Sequence, residues 1–454
     1  MKVAKFGGSS LADAGQIRKV VDIVKADPDR RIVVVSAPGK RSADDVKVTD
    51  MLIALANAVI AGRSCACELD AVVGRYAEIQ RELGLDAAVI HEIEADLRSR
   101  IEQRSANDAQ FIDTIKASGE DNNAKIVAQV FANQGVPARY VNPKDAGMLL
   151  SDDFGNAQVL PESFTNLRSL RDEKNVLIFP GFFGYTRQGQ VATFPRGGSD
   201  ITGAIVAAAV EADVYENFTD VDSVFALDPR IVPESPPISL LTFREMRELS
   251  YAGFGVFHDE AIVPAVRARI PICIKNTNRP EAPGTMIVAE RKYEQGEVTG
   301  IASADGFSAI YLSKYMMNRE MGFGRRLLQV LEDEHLSFEH APSGIDDMSV
   351  ILRSRQLTPA KEAQVLDRIR TELEVDDVTI DHGLSLIMIV GEGMRYAVGV
   401  AARACAALAD AGVNIEMINQ GSSEISIMFG VKEVDRKHAV HALGHALLTI
   451  AKKP

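Results

Sequence analysis

Phe194-Pro195-Arg196-Gly197-Gly198-Ser199-Asp200-Ile201-Thr202-Gly203 is a glycine-rich turn set between an apolar strand and an alanine-rich helix. Backbone amides bared by Gly197 and Gly198, with Ser199 and the positive end of the following helix, suit phosphate or carboxylate oxygens, and Arg196 adds a fork-shaped cation. Asp200 brings a carboxylate to the same turn. A second turn of this type, Lys5-Phe6-Gly7-Gly8-Ser9-Ser10, follows the first strand of the chain. Two such loops at the ends of neighbouring strands predict a single substrate site and point to phosphoryl transfer.

Around these turns the chain alternates between short β-branched runs and amphipathic helices. Residues 3–6, 31–36, 139–141, 175–179 and 270–275 read as buried strands of a mainly parallel sheet. Segments 16–25, 50–61 and 119–133 carry apolar residues at three- and four-residue spacing and read as helices. The expected class is α/β, an α/β/α sandwich over residues 1–295. Residues 68–104, charged and poor in Gly and Pro, read as added rim helices, either a lid or an ordinary insertion.

The 454 residues suffice for two to four domains. A net charge of −13 argues against general affinity for nucleic acid. The N-terminal residues lack a signal-peptide run, and the longest apolar helical stretch, residues 201–210, is too short for a bilayer, so a cytoplasmic protein without membrane contact is expected. Cys65, Cys67, Cys273 and Cys405 make no disulfide framework, and Cys65-Ala66-Cys67 lacks the further ligands of a zinc site. His438, His441 and His445 share a helical face without accompanying carboxylates and read as ordinary surface. No protein metal site is expected.

Beyond residue 297 a repeat begins. Gly322, Arg326, Leu331, Glu339, Gly344 and Ser349 recur as Gly399, Arg403, Leu408, Glu416, Gly421 and Ser426, in one fixed register. In the first copy the strands are read at 309–312, 336–340 and 377–380, and in the second at 384–390 and 413–418. This order is that of a ferredoxin-like βαββαβ unit. The second copy lacks a closing strand, and residues 298–302 form an unassigned apolar one. One repeat is therefore expected to nest inside the other, as domains 304–382 and 383–454, the latter completed by strand 297–303.

Taken together, Lys5-Phe6-Gly7-Gly8-Ser9-Ser10, Arg196-Gly197-Gly198-Ser199-Asp200, Phe218-Thr219-Asp220-Val221-Asp222, Asp228-Pro229-Arg230 and the tandem repeats resemble the aspartate kinases of single-function type. The resemblance covers nearly the whole chain. It implies an amino-acid-kinase fold followed by two ACT domains, and formation of aspartyl β-phosphate from aspartate and MgATP, the first step towards lysine, threonine and methionine. Because the chain ends with the second repeat, no fused homoserine dehydrogenase is expected.

The β-carboxylate of aspartate, with an ordinary pKa of ~3.9, is already a nucleophile at neutral pH. The site needs charge neutralisation and alignment rather than a general base. Lys5, directly before two glycines, fits the cation that stabilises the transferring phosphoryl group, with Gly7, Gly8 and Ser9 as its anion cradle. By resemblance, Arg196 pairs with a substrate carboxylate, Glu120 lies near the substrate ammonium and Thr49 is a further contact. From pattern alone, Glu120 is a first-turn acid that compensates a helix dipole, Thr49 an N-cap before a helix at Asp50, and Asp200 another N-cap. The placement of Asp200 within its turn favours a role in holding the substrate amine, or in organising Lys5 and the metal.

Thr219, Asp220, Phe225, Asp228 and Arg230 match the family's nucleotide-binding segment, although Asp228-Pro229-Arg230 alone is a turn signal. Many relatives carry a lysine three residues before the equivalent of His258, where this chain has Gly255. A P-loop motif is absent, and Mg²⁺ is expected on ATP phosphates rather than in a protein cage. ACT domains imply a homodimer or larger assembly and a small amino-acid effector. The polar turns of the first copy, Met317, Asn318, Glu320, Met321, Gly322 and Phe323 with Ser343, Gly344, Ile345, Asp346 and Asp347, are its expected site. Lysine or threonine is the expected effector, with lysine favoured by the acidic pair. Two alternatives remain at this level: a kinase of another acid, such as glutamate or N-acetylglutamate, and a catalytically silent amino-acid sensor.

Overall fold

The computed structural model describes residues 1–254, 259–421 and 423–448. Chain contacts divide it into two compact units. The first comprises Met1–Val224, Pro237–Phe243 and Val256–Arg291, and the second Phe225–Pro236, Arg244–Gly255 and Lys292–Pro454.

The strands and helices of the N-terminal two thirds are β1 (Lys2–Phe6), α1 (Ala14–Lys25), β2 (Arg30–Val35), α2 (Val48–Ile60), α3 (Ala66–Leu83), α4 (Ala88–Glu102), α5 (Asp108–Asn133) and β3 (Ala138–Tyr140). They continue with α6 (Glu162–Leu167), β4 (Val176–Pro180), β5 (Phe183–Tyr185), β6 (Val191–Thr193), α7 (Gly198–Ala209), β7 (Val214–Thr219), β8 (Val224–Phe225), β9 (Pro237–Ile238) and β10 (Leu240–Thr242). Last come α8 (Phe243–Tyr251), α9 (Val263–Arg267), β11 (Ile272–Asn276) and β12 (Thr285–Val288).

Eight strands form one sheet in the order β10-β12-β11-β7-β1-β2-β4-β3, parallel except where β12 meets β11. The apolar runs dictate this burial: Val3, Ala4, Phe6 and Ile32, Val33, Val34, Val35 are wholly inaccessible, as expected for strands covered on both faces. β1 has β2 on one side and β7 on the other. Strand order reverses there, and open α/β sheets bind ligands beyond the carboxyl ends of strands at such a point. Lys5 sits at that end of β1. The charged 68–104 segment forms α3 and α4, whose apolar stripes, including Leu69, Val72, Tyr76, Ile93 and Leu97, pack into the same core.

In the second unit, β13 (Gly300–Ser313), α10 (Phe323–Asp333), β14 (Asp347–Arg353), α11 (Pro359–Leu373), β15 (Asp377–Val390), α12 (Val400–Asp410), β16 (Met417–Asn419), β17 (Ser426–Lys432) and α13 (Arg436–Leu447) follow. They make one sheet, β14-β13-β15-β17-β16. β15 runs through the two strands read at 377–380 and 384–390. Each repeat keeps its own apolar core, one around Leu327, Val350 and Val365, the other around Ala404, Ile427 and Val440. Segment 336–340, read as a strand, is none: only the isolated bridges His340↔Ile351 and Ser343↔Met348 form. Pro342 between them has no N–H to give to a ladder. Among the described residues no helix is long and apolar enough to cross a membrane.

Candidate active site

A cleft of about 790 Å³ opens in the first unit at the carboxyl ends of β1, β2 and β7. Its lining includes Lys5, Gly7, Gly8, Ser9, Thr49, Glu120, Arg196, Gly197, Gly198, Ser199, Asp200, Thr219 and Asp220. Two loops and a helix distant in sequence thus meet in one cavity.

The Lys5 loop is fixed by backbone bonds from Gly7 N to Phe218 O (3.2 Å) and from Gly39 N to Gly8 O (2.9 Å). A Cβ on Gly39 would lie 2.5 Å from the carbonyl carbon of Gly8, so glycine alone permits this contact. The buried Arg75 of α3 clamps the same region, donating to Gly39 O (2.7 Å), Ala12 O (3.1 Å) and Asp45 (2.6 Å). Arginine 41, followed by Arg75, holds the Asp45 carboxyl well below the usual range. The rim helix α3 therefore supports the loop as part of the domain body.

Gly197 caps α7 at φ +83°, a left-handed conformation that strains any side chain. Asp200 lies in the first turn of α7 and is not its N-cap. Its Oδ1 is 2.6 Å from Lys5 Nζ and accepts from Asn217 Nδ2 at 2.5 Å. Lys5 is buried at 7% exposure, and the ion pair aims its ammonium into the cleft. Arg196 is exposed at the mouth, free to fork onto an anion.

Glu120 lies in the middle of α5, eleven residues or more from either end, and not at a helix start. Gly119, which suggested a boundary, is a packing glycine: a Cβ there would stand 3.0 Å from Ala37 Cβ and Leu52 Cδ1. Glu120 is 5% exposed, and its Oε2 is buried without a hydrogen-bond partner. Burial pushes its carboxyl up to about 8, against backbone hydrogen bonds and the charge of Lys116, which lower it. A buried, under-satisfied carboxylate beside a cavity suits a cationic ligand. Thr49 is likewise inside α2, whose N-cap is Lys47, and it faces the cleft half-buried.

Thr219 and Asp220 line the cleft, and the Thr219 hydroxyl donates to Asp220 (3.1 Å). Phe225, Asp228 and Arg230 belong to the second unit. There Arg230 is exposed and closes onto Asp228 at 2.8 Å, holding that carboxyl below its ordinary range. Gly255 and His258 lie outside the described residues.

In the first repeat, Met317 and Phe323 pack into the apolar core. Met321 and Ile345 are exposed, and so are Asn318, Gly322, Ser343, Gly344 and Asp347. Asp346 Oδ1 accepts from Met316 N (2.8 Å), and Asn318 N donates to Ile345 O (3.1 Å), so the two turns are stapled together. Glu320 is paired with Lys314 and Arg326.

Sequence reading did not find Lys116, Asn217, Arg75 or Gly39. Lys116, four residues before Glu120 and so on the same helical face, carried a usable signal; the others depend on distant partners.

Residues 1–276 match the amino acid kinase family, and residues 387–447 match an ACT domain. The chain is 57% identical to aspartokinase 3 of Bacillus subtilis, over 98% of both chains. It is similar in structure to the aspartate kinase of Clostridium acetobutylicum, with a TM-score of 0.89 and 36% identity over 98% of this chain and 100% of that one. Escherichia coli aspartokinase III in complex with aspartate and ADP gives 0.77 and 25% over 98% and 99%.

Proposed function

Because the chain belongs to the aspartokinases of the amino acid kinase family, we propose that the cleft between Lys5, Glu120 and Arg196 is where it phosphorylates aspartate. The chain transfers the γ-phosphate of ATP to the β-carboxylate of L-aspartate, giving 4-phospho-L-aspartate. The observation that carries the site assignment is the convergence, in one cavity, of a buried Lys5–Asp200 pair, an exposed Arg196 and a buried Glu120 lacking a partner on Oε2.

Each group answers one charge of the substrates. Arg196 takes the α-carboxylate and Glu120 the α-ammonium, which leaves the β-carboxylate directed at the Gly7-Gly8 loop. Thr49 and Ser199 add hydroxyls, and the amides of Gly197 and Gly198 favour anions at the start of α7. Lys5, held by Asp200, neutralises charge on the phosphoryl group as it passes between two anionic oxygens. Magnesium held on the ATP phosphates would supply further neutralisation, and Asp200 and Asp220 of the cleft lining are the carboxylates that would help to hold it. Thr219 and Asp220 receive the nucleoside side.

The nested-repeat reading is supported by sheet register. The first half of β13, Gly300 to Ala304, pairs with Val390 to Leu386, and the second half, from Ala309, pairs with Asp381 to Asp377. Register shifts at 304/307, with Gly306 at φ +81° and Gly383 at φ +71°, divide the halves. Exposed Tyr315, Met321 and Ile345 support assembly of a homodimer or larger oligomer through the first repeat. A feedback amino acid, lysine or threonine, binds near Ser343, Asp347 and the turn at Gly322. Steady-state ADP release with a panel of amino acids tests the assignment. Aspartate should be preferred, Arg196→Ala should raise its KM, and lysine or threonine should change the rate. Equal turnover of glutamate, or an unaltered Arg196→Ala enzyme, would count against it.

A further inference from the structure

Asp113, on α5 seven residues before Glu120, is wholly buried. Its Oδ2 accepts the backbone N–H groups of Gly155 (2.7 Å) and Thr193 (2.8 Å), and its Oδ1 accepts the Thr193 hydroxyl (2.7 Å). Lys116 Nζ lies 3.0 Å from the same Oδ1. One carboxylate thus ties together the helix that carries Glu120, the Gly155 loop and the end of β6. Thr193 is three residues from Arg196. Lys116 and Gly155 both line the cleft, and Lys116 stands 5.3 Å from the Phe182 ring centroid on the cleft wall.

We infer that Asp113 is a positioning residue for aspartate. It sets the separation between Arg196 and Glu120, the two groups that the proposed function assigns to the substrate's α-carboxylate and α-ammonium; the inference rests on that assignment. The four contacts explain the direction of the effect. All of them reach the amino-acid side of the cleft, and none reaches the Lys5–Ser9 loop, so loosening them should weaken aspartate binding and leave the nucleotide alone. An asparagine at 113 can keep both backbone N–H groups on its one oxygen, but its NH₂ group then faces Lys116 Nζ and the Thr193 hydroxyl, so the ion pair is lost and the hydroxyl must turn from donor to acceptor.

Steady-state kinetics of the full chain test this with Asp113→Asn and Thr193→Val. Asp113→Asn should raise the KM for aspartate about tenfold or more, with the KM for MgATP within about twofold, as expected for loss of a charge-assisted bond. Thr193→Val removes only the hydroxyl bond and should raise the aspartate KM about threefold with the same selectivity. Thermal midpoints and ADP dissociation constants monitor the fold. If both KM values rise together, or neither moves, the inference fails. Should Asp113→Asn not fold, Thr193→Val decides: a selective rise supports the inference, and an unchanged or unselective enzyme overturns it. An inactive parent would refute the site assignment and this inference with it, whereas an active parent with unselective variants refutes this inference alone.

Discussion

Glu120→Gln separates charge from shape at the proposed ammonium subsite. Burial lifts the parent carboxyl from 4.5 to about 8. At pH 7 only about one molecule in ten then carries the ionised form that a substrate ammonium requires, and at pH 9 about nine in ten do. The kcat/KM for aspartate, which reports ionisations of the free enzyme, should therefore climb about tenfold between pH 7 and 9. Stability moves the other way. The unfolded chain loses this proton near its ordinary pKa while the folded chain retains it. Stability is therefore fully present below about 4.5, declines as pH rises towards about 8 and is level beyond, by about 5 kcal/mol at most. Glutamine removes both dependences. The variant should show a weak, pH-independent kcat/KM for aspartate and a thermal midpoint that gains on the parent at pH 8.5 relative to pH 5. Rates across pH 6–9 at saturating MgATP, with melting curves at the two pH values, check this. A flat parent profile, or an equal slope in Glu120→Gln, would refute the reasoning.

Lys5→Met should lower kcat by about 10²–10³-fold with a smaller change in the aspartate KM, since its charge acts on the transferring group; single-turnover rates test this. Gly39→Ala places a methyl 2.5 Å from the Gly8 carbonyl carbon, so the loop must move, and kcat/KM for MgATP should fall at least about tenfold while aspartate binding is retained. Arg75→Met leaves the Gly39 and Ala12 carbonyls without their donor and Asp45 with Arg41 alone, which should cost about 3 kcal/mol, read by denaturant unfolding.

What the sequence disclosed were the local signals. Lys5-Phe6-Gly7-Gly8 and Arg196-Gly197-Gly198 each join a strand end to a helix start, so their backbone geometry is written in adjacent residues. The sheet was legible for the same reason, since continuous β-branched runs such as Ile32-Val33-Val34-Val35 have no solvent-facing alternative. Glu120 was singled out through family resemblance and does line the cleft, but its position within the helix was not legible. Gly119 mimics a helix boundary, whereas its missing Cβ serves close packing against Ala37 and Leu52. The Thr49 cap failed because Val48 N finds Pro38 O at 3.2 Å, which lets the helix begin earlier. Asp113 answers to Thr193, eighty residues on, and Asn217 to Asp200; no local pattern records such pairings. Segment 336–340 has an alternating pattern, and the proline after it broke the ladder.

The most direct test of the account traps the product. The chain, MgATP, L-aspartate and hydroxylamine should yield aspartyl hydroxamate in step with ADP, and Lys5→Met should yield little of either. ADP release without hydroxamate, or a folded parent that forms none with aspartate, would contradict the claim that this cleft joins the aspartate β-carboxylate to the γ-phosphate.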